Sequence, residues 1–153
     1  MPKQSWIGDI LAGSPDEEVV ELCGWVHRTR GSNKIRFLVL RDSTGSLQCV
    51  IKKGEVDDEC FDALSGALIE SSVRVTGKVI RTDREHGYEL SVSSGIVVGA
   101  VNPDSPFPIT ESAMAEADGG ETEFLLDNRH LYLRTGRMTK MLKIRSTVFL
   151  SLI

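Results

Sequence analysis

The chain has 153 residues, 41% of them hydrophobic, and a formal net charge of −4, enough for one domain with a real core plus a tail. No stretch approaches the ~20 apolar residues that a membrane-spanning helix needs, and residues 1–13 lack the apolar run and cleavage site of a secretory signal, so a cytoplasmic location and no membrane partner are expected. Cys23, Cys49 and Cys60 lie far apart with no C-x-x-C pair, and His27, His86 and His130 are scattered. That spacing points to neither a disulfide framework nor a zinc site, and the cysteines read as small core residues.

In chain order, residues 1–18 form an N-terminal segment with room for a short helix. Residues 19–29 have a strand-like pattern with Gly24 in mid-run, where a glycine commonly marks a bulge or sharp bend. Residues 34–41 and 46–52 alternate apolar and polar and are joined by the tight turn DSTG, which predicts a hairpin. Between residues 56 and 68, Val56, Cys60, Phe61, Leu64 and Leu68 have the spacing of a helix with one buried stripe. Two further strands are predicted over residues 72–81 and 88–98. Residues 100–122 hold Pro103, Pro106, Pro108 and Gly119-Gly120, a linker composition. Residues 138–153 return to helical spacing, with Met138, Met141, Leu142, Ile144, Val148, Phe149 and Leu152 forming a broad apolar surface.

Three strands, one helix and two strands, with a bent first strand, is the order of an OB-fold. The expected class is all-β: a five-stranded Greek-key barrel over residues 19–99, with a helix between strands three and four, followed by the linker and a C-terminal helix. Other small β-barrels share parts of that order. Strand alternation then sorts the side chains. If Leu38, Leu40, Leu47, Cys49, Ile51, Leu90 and Val92 point inward, then Phe37, Gln48 and Glu89 point outward, near Arg28 and Arg30.

A ring, an amide, a carboxylate and two arginines are the parts of a single-stranded RNA site: stacking, edge reading and phosphate or base contact. The charge is placed to match. Residues 24–53 carry seven Arg and Lys against Asp42 alone, net +6, which leaves −10 for the rest of the chain, so an anion-binding face is local rather than general. The plainer alternatives are solvated basic residues fringing ordinary strands and a stray exposed Phe. Lys34 and Arg36 are candidate phosphate contacts of lesser weight.

The blocks GWVHRTR, FLVLRD, LQCVIK and GYELSV closely resemble the anticodon-binding domain of the class II aminoacyl-tRNA synthetases for aspartate, asparagine and lysine. EFLLDNRHLYLR, residues 123–134, resembles the hinge segment of asparaginyl-tRNA synthetases more than that of the aspartate enzymes. The resemblance implies that Phe37 stacks on the central anticodon uridine, that Arg28 and Gln48 contact it, that Arg30 supports the loop, and that Glu89 reads a flanking base, most simply the first. The implied partner is a tRNA with a central U, that of asparagine, in translation. Residues 138–153 resemble the start of the first class II motif, a dimer helix. The segment is thus expected to be the tRNA-recognising, non-catalytic part of an asparagine–tRNA ligase, with no cofactor of its own and with ATP, magnesium and a homodimer belonging to the parent enzyme. The alternatives are an aspartyl-tRNA synthetase domain, a stand-alone OB-fold tRNA- or single-strand-binding module, and a barrel used for protein interaction.

Overall fold

The computed structural model describes residues 3–13, 18–83, 87–109 and 122–152. It falls into two compact units, Met1–Pro106 and Phe107–Ile153. The first holds β1 (Lys3–Gln4), α1 (Ile7–Leu11), β2 (Val19–Gly31), β3 (Ile35–Arg41), β4 (Ser46–Lys52), α2 (Asp58–Gly66), β5 (Ser72–Arg81) and β6 (Tyr88–Gly99). The sheet order is β1-β2-β3-β4-β6-β5, and an additional β2–β5 pairing closes the barrel. All barrel pairings are antiparallel except β4 with β6. This is the Greek-key OB topology, with the helix between the third and fourth barrel strands as expected.

Closure depends on β2. Its residues Val19 to Trp25 pair with β5, and Trp25 to Gly31 pair with β3, so the strand must turn sharply where it changes partner. Gly24 sits at that handover, and a Cβ there would lie 2.5 Å from the Arg41 carbonyl oxygen. Glycine is therefore required for close backbone approach. The register break itself is elsewhere: pairing is regular through Gly24 and shifts between Val26 and Arg28. Of the bulge or sharp bend expected at Gly24, the bend is there and the bulge is centred on His27, because the glycine relieves crowding while the extra residue restores pairing after the bend.

The inward rows are apolar apart from Arg36 at the start of β3. Val20, Leu22, Val26, Leu38, Leu40, Leu47, Cys49, Ile51, Val73, Val75, Val79, Leu90 and Val92 are each at most 1% exposed. Cys49 and Cys60 are core residues, and burial pushes the Cys49 thiol up to about 12, so it stays protonated and inert. Cys23 is half-buried.

α2 is shorter than its predicted span. Asp57 is extended and its Oδ1 accepts from the Cys60 amide at 2.7 Å, which fixes the start, and Ala67 is extended at the end. Cys60, Phe61 and Leu64 face the core.

The N-terminal segment belongs to the barrel rather than preceding it. β1 runs parallel to the start of β2, and α1 puts Ile7 and Ile10 into the core, both at most 1% exposed. In the second unit, α3 (Thr122–Asp127), α4 (Arg129–Tyr132) and α5 (Gly136–Leu150) follow one another. Thr135 Oγ1 caps α5 by accepting from the Met138 amide. Met141, Ile144, Val148 and Phe149 on α5 are each more than half exposed. Most of the predicted linker, residues 110–121, lies outside the described residues. No described helix is long and apolar enough to cross a membrane.

Candidate nucleic-acid interface

The β3–β4 hairpin presents three outward rows. Cross-strand register joins Arg30 to Phe37 and Phe37 to Val50; one step along, it joins Arg28 to Val39, Val39 to Gln48 and Gln48 to Glu89; the third row is Trp25, Arg41 and Ser46. Phe37, Gln48 and Glu89 thus lie opposite the buried Leu38, Leu40, Leu47, Cys49 and Leu90. The arginines owe their place to the His27 bulge. Val20, Leu22 and Val26 point inward on even positions, and an unbroken strand would carry Arg28 and Arg30 inward with them. The extra residue reverses the parity, and both arginines are exposed on the outer face.

A hydrogen-bonded chain links three of these groups. Arg30 Nη2 donates to Gln48 Oε1 at 3.0 Å, and Gln48 Nε2 donates to Glu89 Oε1 at 2.9 Å. The guanidinium can only donate and the carboxylate can only accept, so together they fix which way the Gln48 amide points. The Arg30 guanidinium also lies over the Phe37 ring, 5.4 Å from its centroid, within cation–π range.

Of the lesser candidates, Lys34 is exposed in the turn between β2 and β3. Arg36 is not brought together with the others. It shares strand parity with Leu38 and Leu40, is half-buried, and has its Nε buried with no hydrogen-bond partner.

The bulge also gathers groups that the sequence reading did not select. Arg41 Nη2 bonds Glu70 Oε1 at 2.7 Å, and the Glu70 side chain is only 5% exposed. The Glu70 amide donates to the Val26 carbonyl at 2.7 Å, which ties the loop before β5 to β2. Burial pushes the His27 imidazole below its usual value, Arg41 pushes it the same way, Glu70 opposes and Arg28 adds to the lowering.

A pH dependence follows. The folded state binds a proton at His27 less readily than the unfolded chain, whose value is 6.5. Stability therefore rises with pH through the window between the folded value and 6.5, and is lost as pH falls through it. His27→Gln is expected to flatten this part of the profile when urea midpoints are compared at about pH 7.5 and about pH 5.5; an unchanged slope would remove His27 as its cause.

Among the described residues no cluster of His, Cys, Asp and Glu could hold a metal ion. The face brings together a ring, an oriented amide and two exposed arginines.

Comparison with known proteins agrees with this geometry. The tRNA anticodon family described as an OB-fold nucleic acid binding domain matches residues 20–98. The chain is 45% identical over 134 residues to the asparagine–tRNA ligase of Thermoplasma acidophilum, an alignment covering 86% of this chain and 29% of the relative. It is 38% identical over 137 residues to that of Koribacter versatilis, covering 89% and 30% respectively. The crystal structure of asparaginyl-tRNA synthetase from Pyrococcus horikoshii complexed with asparaginyl-adenylate superposes with a TM-score of 0.80 at 32% identity, covering 98% of this chain and 33% of that one. The chain thus spans about 30% of the length of the curated relatives it matches. With its barrel topology, its outward Phe37–Gln48–Glu89 face and a match through every barrel strand, the chain belongs to the tRNA anticodon family of OB-fold nucleic acid binding domains.

Proposed function

We propose that the outer face of the β3–β4 hairpin reads the anticodon loop of a tRNA with a central U, and that the chain serves this role in an asparagine–tRNA ligase. The observation that carries the reading is the Arg30–Gln48–Glu89 chain beside Phe37. With its orientation fixed, Gln48 offers an acceptor at Oε1 and a second N–H at Nε2, and the arginines on the same face offer further donors. Donor, acceptor, donor is the complement of uracil's Watson–Crick edge, which presents O2, N3–H and O4 as acceptor, donor, acceptor. Adenine has a single donor–acceptor pair there, and cytosine presents an acceptor where uracil has N3–H. Phe37 supplies the stacking face, which any base would accept, so discrimination falls on Gln48 and the arginines. Glu89 accepts from Gln48 and also lies where a neighbouring base with exposed N–H groups, such as guanine, would reach it.

The parent reaction would be ATP- and magnesium-dependent attachment of asparagine to its tRNA by a homodimer. This chain's part in it is to hold the anticodon loop, and none of its residues is assigned a step at the reacting atoms. The similarity to asparagine–tRNA ligases supports the choice of asparagine.

The test is a fluorescence titration with anticodon stem-loops bearing GUU, GUC and GAU at fixed low salt. Tight binding of GUU, weaker binding of GUC and little of GAU is expected. Equal binding of all three would reduce the chain to an unselective single-strand binder. Lys34→Ala should weaken all RNAs alike and reduce the salt slope by about one. A loss confined to one base identity would contradict a phosphate contact there.

A further inference from the structure

Trp25 has no part in the site described above, yet it lies on the same surface. It is 46% exposed and is the one residue of β2 in register with both neighbouring strands, opposite Arg41 on β3 and Ser72 on β5. Its backbone is therefore held from both sides, which makes a ring mounted there a preorganised platform rather than a mobile one. The face is continuous. Arg41, Val39 and Phe37 alternate outward along β3, with Ser46, Gln48 and Val50 opposite them on β4. Successive rows are about 7 Å apart, since each step is two strand residues of ~3.4 Å.

Bases in a regular stack repeat at about 3.4 Å, so bases lying on successive rows must be splayed apart. Splayed, unpaired bases are how single-stranded RNA is recognised by protein. Trp25 stands two rows from Phe37, beyond the row that carries Arg28 and Gln48. The surroundings suit RNA. The segment is strongly basic, and the one acidic group at the bulge, Glu70, is almost fully buried against Arg41. The patch therefore presents an exposed ring with no exposed carboxylate from Glu70 beside it.

We infer that Trp25 is a second base-stacking platform, taking a loop nucleotide that flanks the anticodon bases held at Phe37 and Gln48. The inference rests on the anticodon reading proposed above and extends its footprint along the sheet. It gives the site two aromatic contacts separated by an edge-reading row, so the loop is gripped at both ends of the bases being read.

Trp6 and Trp25 are the two tryptophans of the chain, so W6F leaves Trp25 as the only indole reporter. Adding the GUU stem-loop to W6F is expected to quench Trp25 emission in step with binding followed by a label on the RNA. W25A should weaken binding about ten-fold, and W25F should recover most of it because a smaller ring still stacks. Stem-loops abasic at each flanking position in turn should include one whose loss is not additive with W25A, which identifies the stacked base. Normal binding by W25A with unchanged Trp25 emission in W6F, while F37A still loses affinity, would overturn the inference and leave the anticodon reading standing. Additive losses at every abasic position would overturn it equally. No binding of the stem-loop by the unmodified chain would sink both readings.

Discussion

Phe37→Ala is expected to weaken binding of the GUU stem-loop by ten-fold to a hundred-fold, with no comparable loss of fold stability. The ring is half-buried on the outer face while its neighbours Leu38 and Leu40 fill the core, so truncation opens no internal cavity. What is lost is base–aromatic stacking, ~1–3 kcal/mol when removed by alanine substitution, and ~1.4 kcal/mol is ten-fold in affinity. Arg30 makes the measurement more informative. Its guanidinium covers the ring in the free protein, a contact of ~0.5–1 kcal/mol at an exposed site. A base either displaces it or shares the ring with it. Arg30→Ala with Phe37 retained removes both this cover and the hydrogen bond that orients Gln48: affinity near that of the unmodified chain would mean that neither adds net affinity. The prediction fails if Phe37→Ala leaves the titration unchanged, or if affinity is lost only in step with unfolding in a thermal melt.

How much of this site the sequence discloses depends on which physical rule sets each residue. Phe37, Gln48 and Glu89 are legible because strand alternation is strict over β3, β4 and β6, where the register runs unbroken past them. Arg28 and Arg30 are a different case. Their proximity to the hairpin can be guessed from strand order, but their outward direction depends on an extra residue at His27, and nothing in GWVHRTR marks that residue as a bulge. Gly24 does attract attention as a bulge or a sharp bend, and it is the bend: it accommodates the Arg41 carbonyl, and the register breaks three residues later. Arg36 shows the two rules diverging. Charge alone suggests a phosphate contact, whereas alternation places it half-buried with Leu38 and Leu40.

The barrel order was equally legible, since turns and alternation mark every strand from residue 19 onward. Of the N-terminal plug, only the room for a short helix was legible, not β1 or the entry of Ile7 and Ile10 into the core. β1 is two residues long and α1 is five, too short for either periodicity to emerge. Both exist because the barrel offers β1 a strand edge and gives Ile7 and Ile10 a core to enter. This is tertiary context overriding weak local preference.

A single carboxylate takes a large share in fastening that plug, and Asp42→Ala is expected to cost about 3 kcal/mol of fold stability. In the turn, Asp42 Oδ1 accepts from the Thr44 amide at 2.7 Å, the Thr44 hydroxyl at 2.6 Å and the Gly45 amide at 2.9 Å, while Oδ2 accepts from the Ile7 amide at 2.8 Å. One residue therefore shapes the β3–β4 turn and anchors the first turn of α1. Alanine would strand the Ile7 amide in a buried position and loosen Ile7 and Ile10 from the core, each a recognised route to a large loss. For a barrel of this size the melting temperature should fall by roughly 10–20 °C. Burial opposes ionisation of Asp42, but the bonds from the Thr44 side chain and from the Ile7, Thr44 and Gly45 amides outweigh it and hold the carboxyl below its usual 3.8. The stabilisation is thus present above 3.8 and is lost as pH falls from there through the folded value. Asp42→Asn, which stays neutral throughout, should remove that acid-side loss and bring the two stability profiles together at low pH. Melting of Asp42→Ala within a few degrees of the unmodified chain would show that the plug is held by apolar packing alone. Normal RNA affinity in the folded fraction is expected in either case, because Asp42 lies beyond the outward rows that carry Phe37 and Gln48.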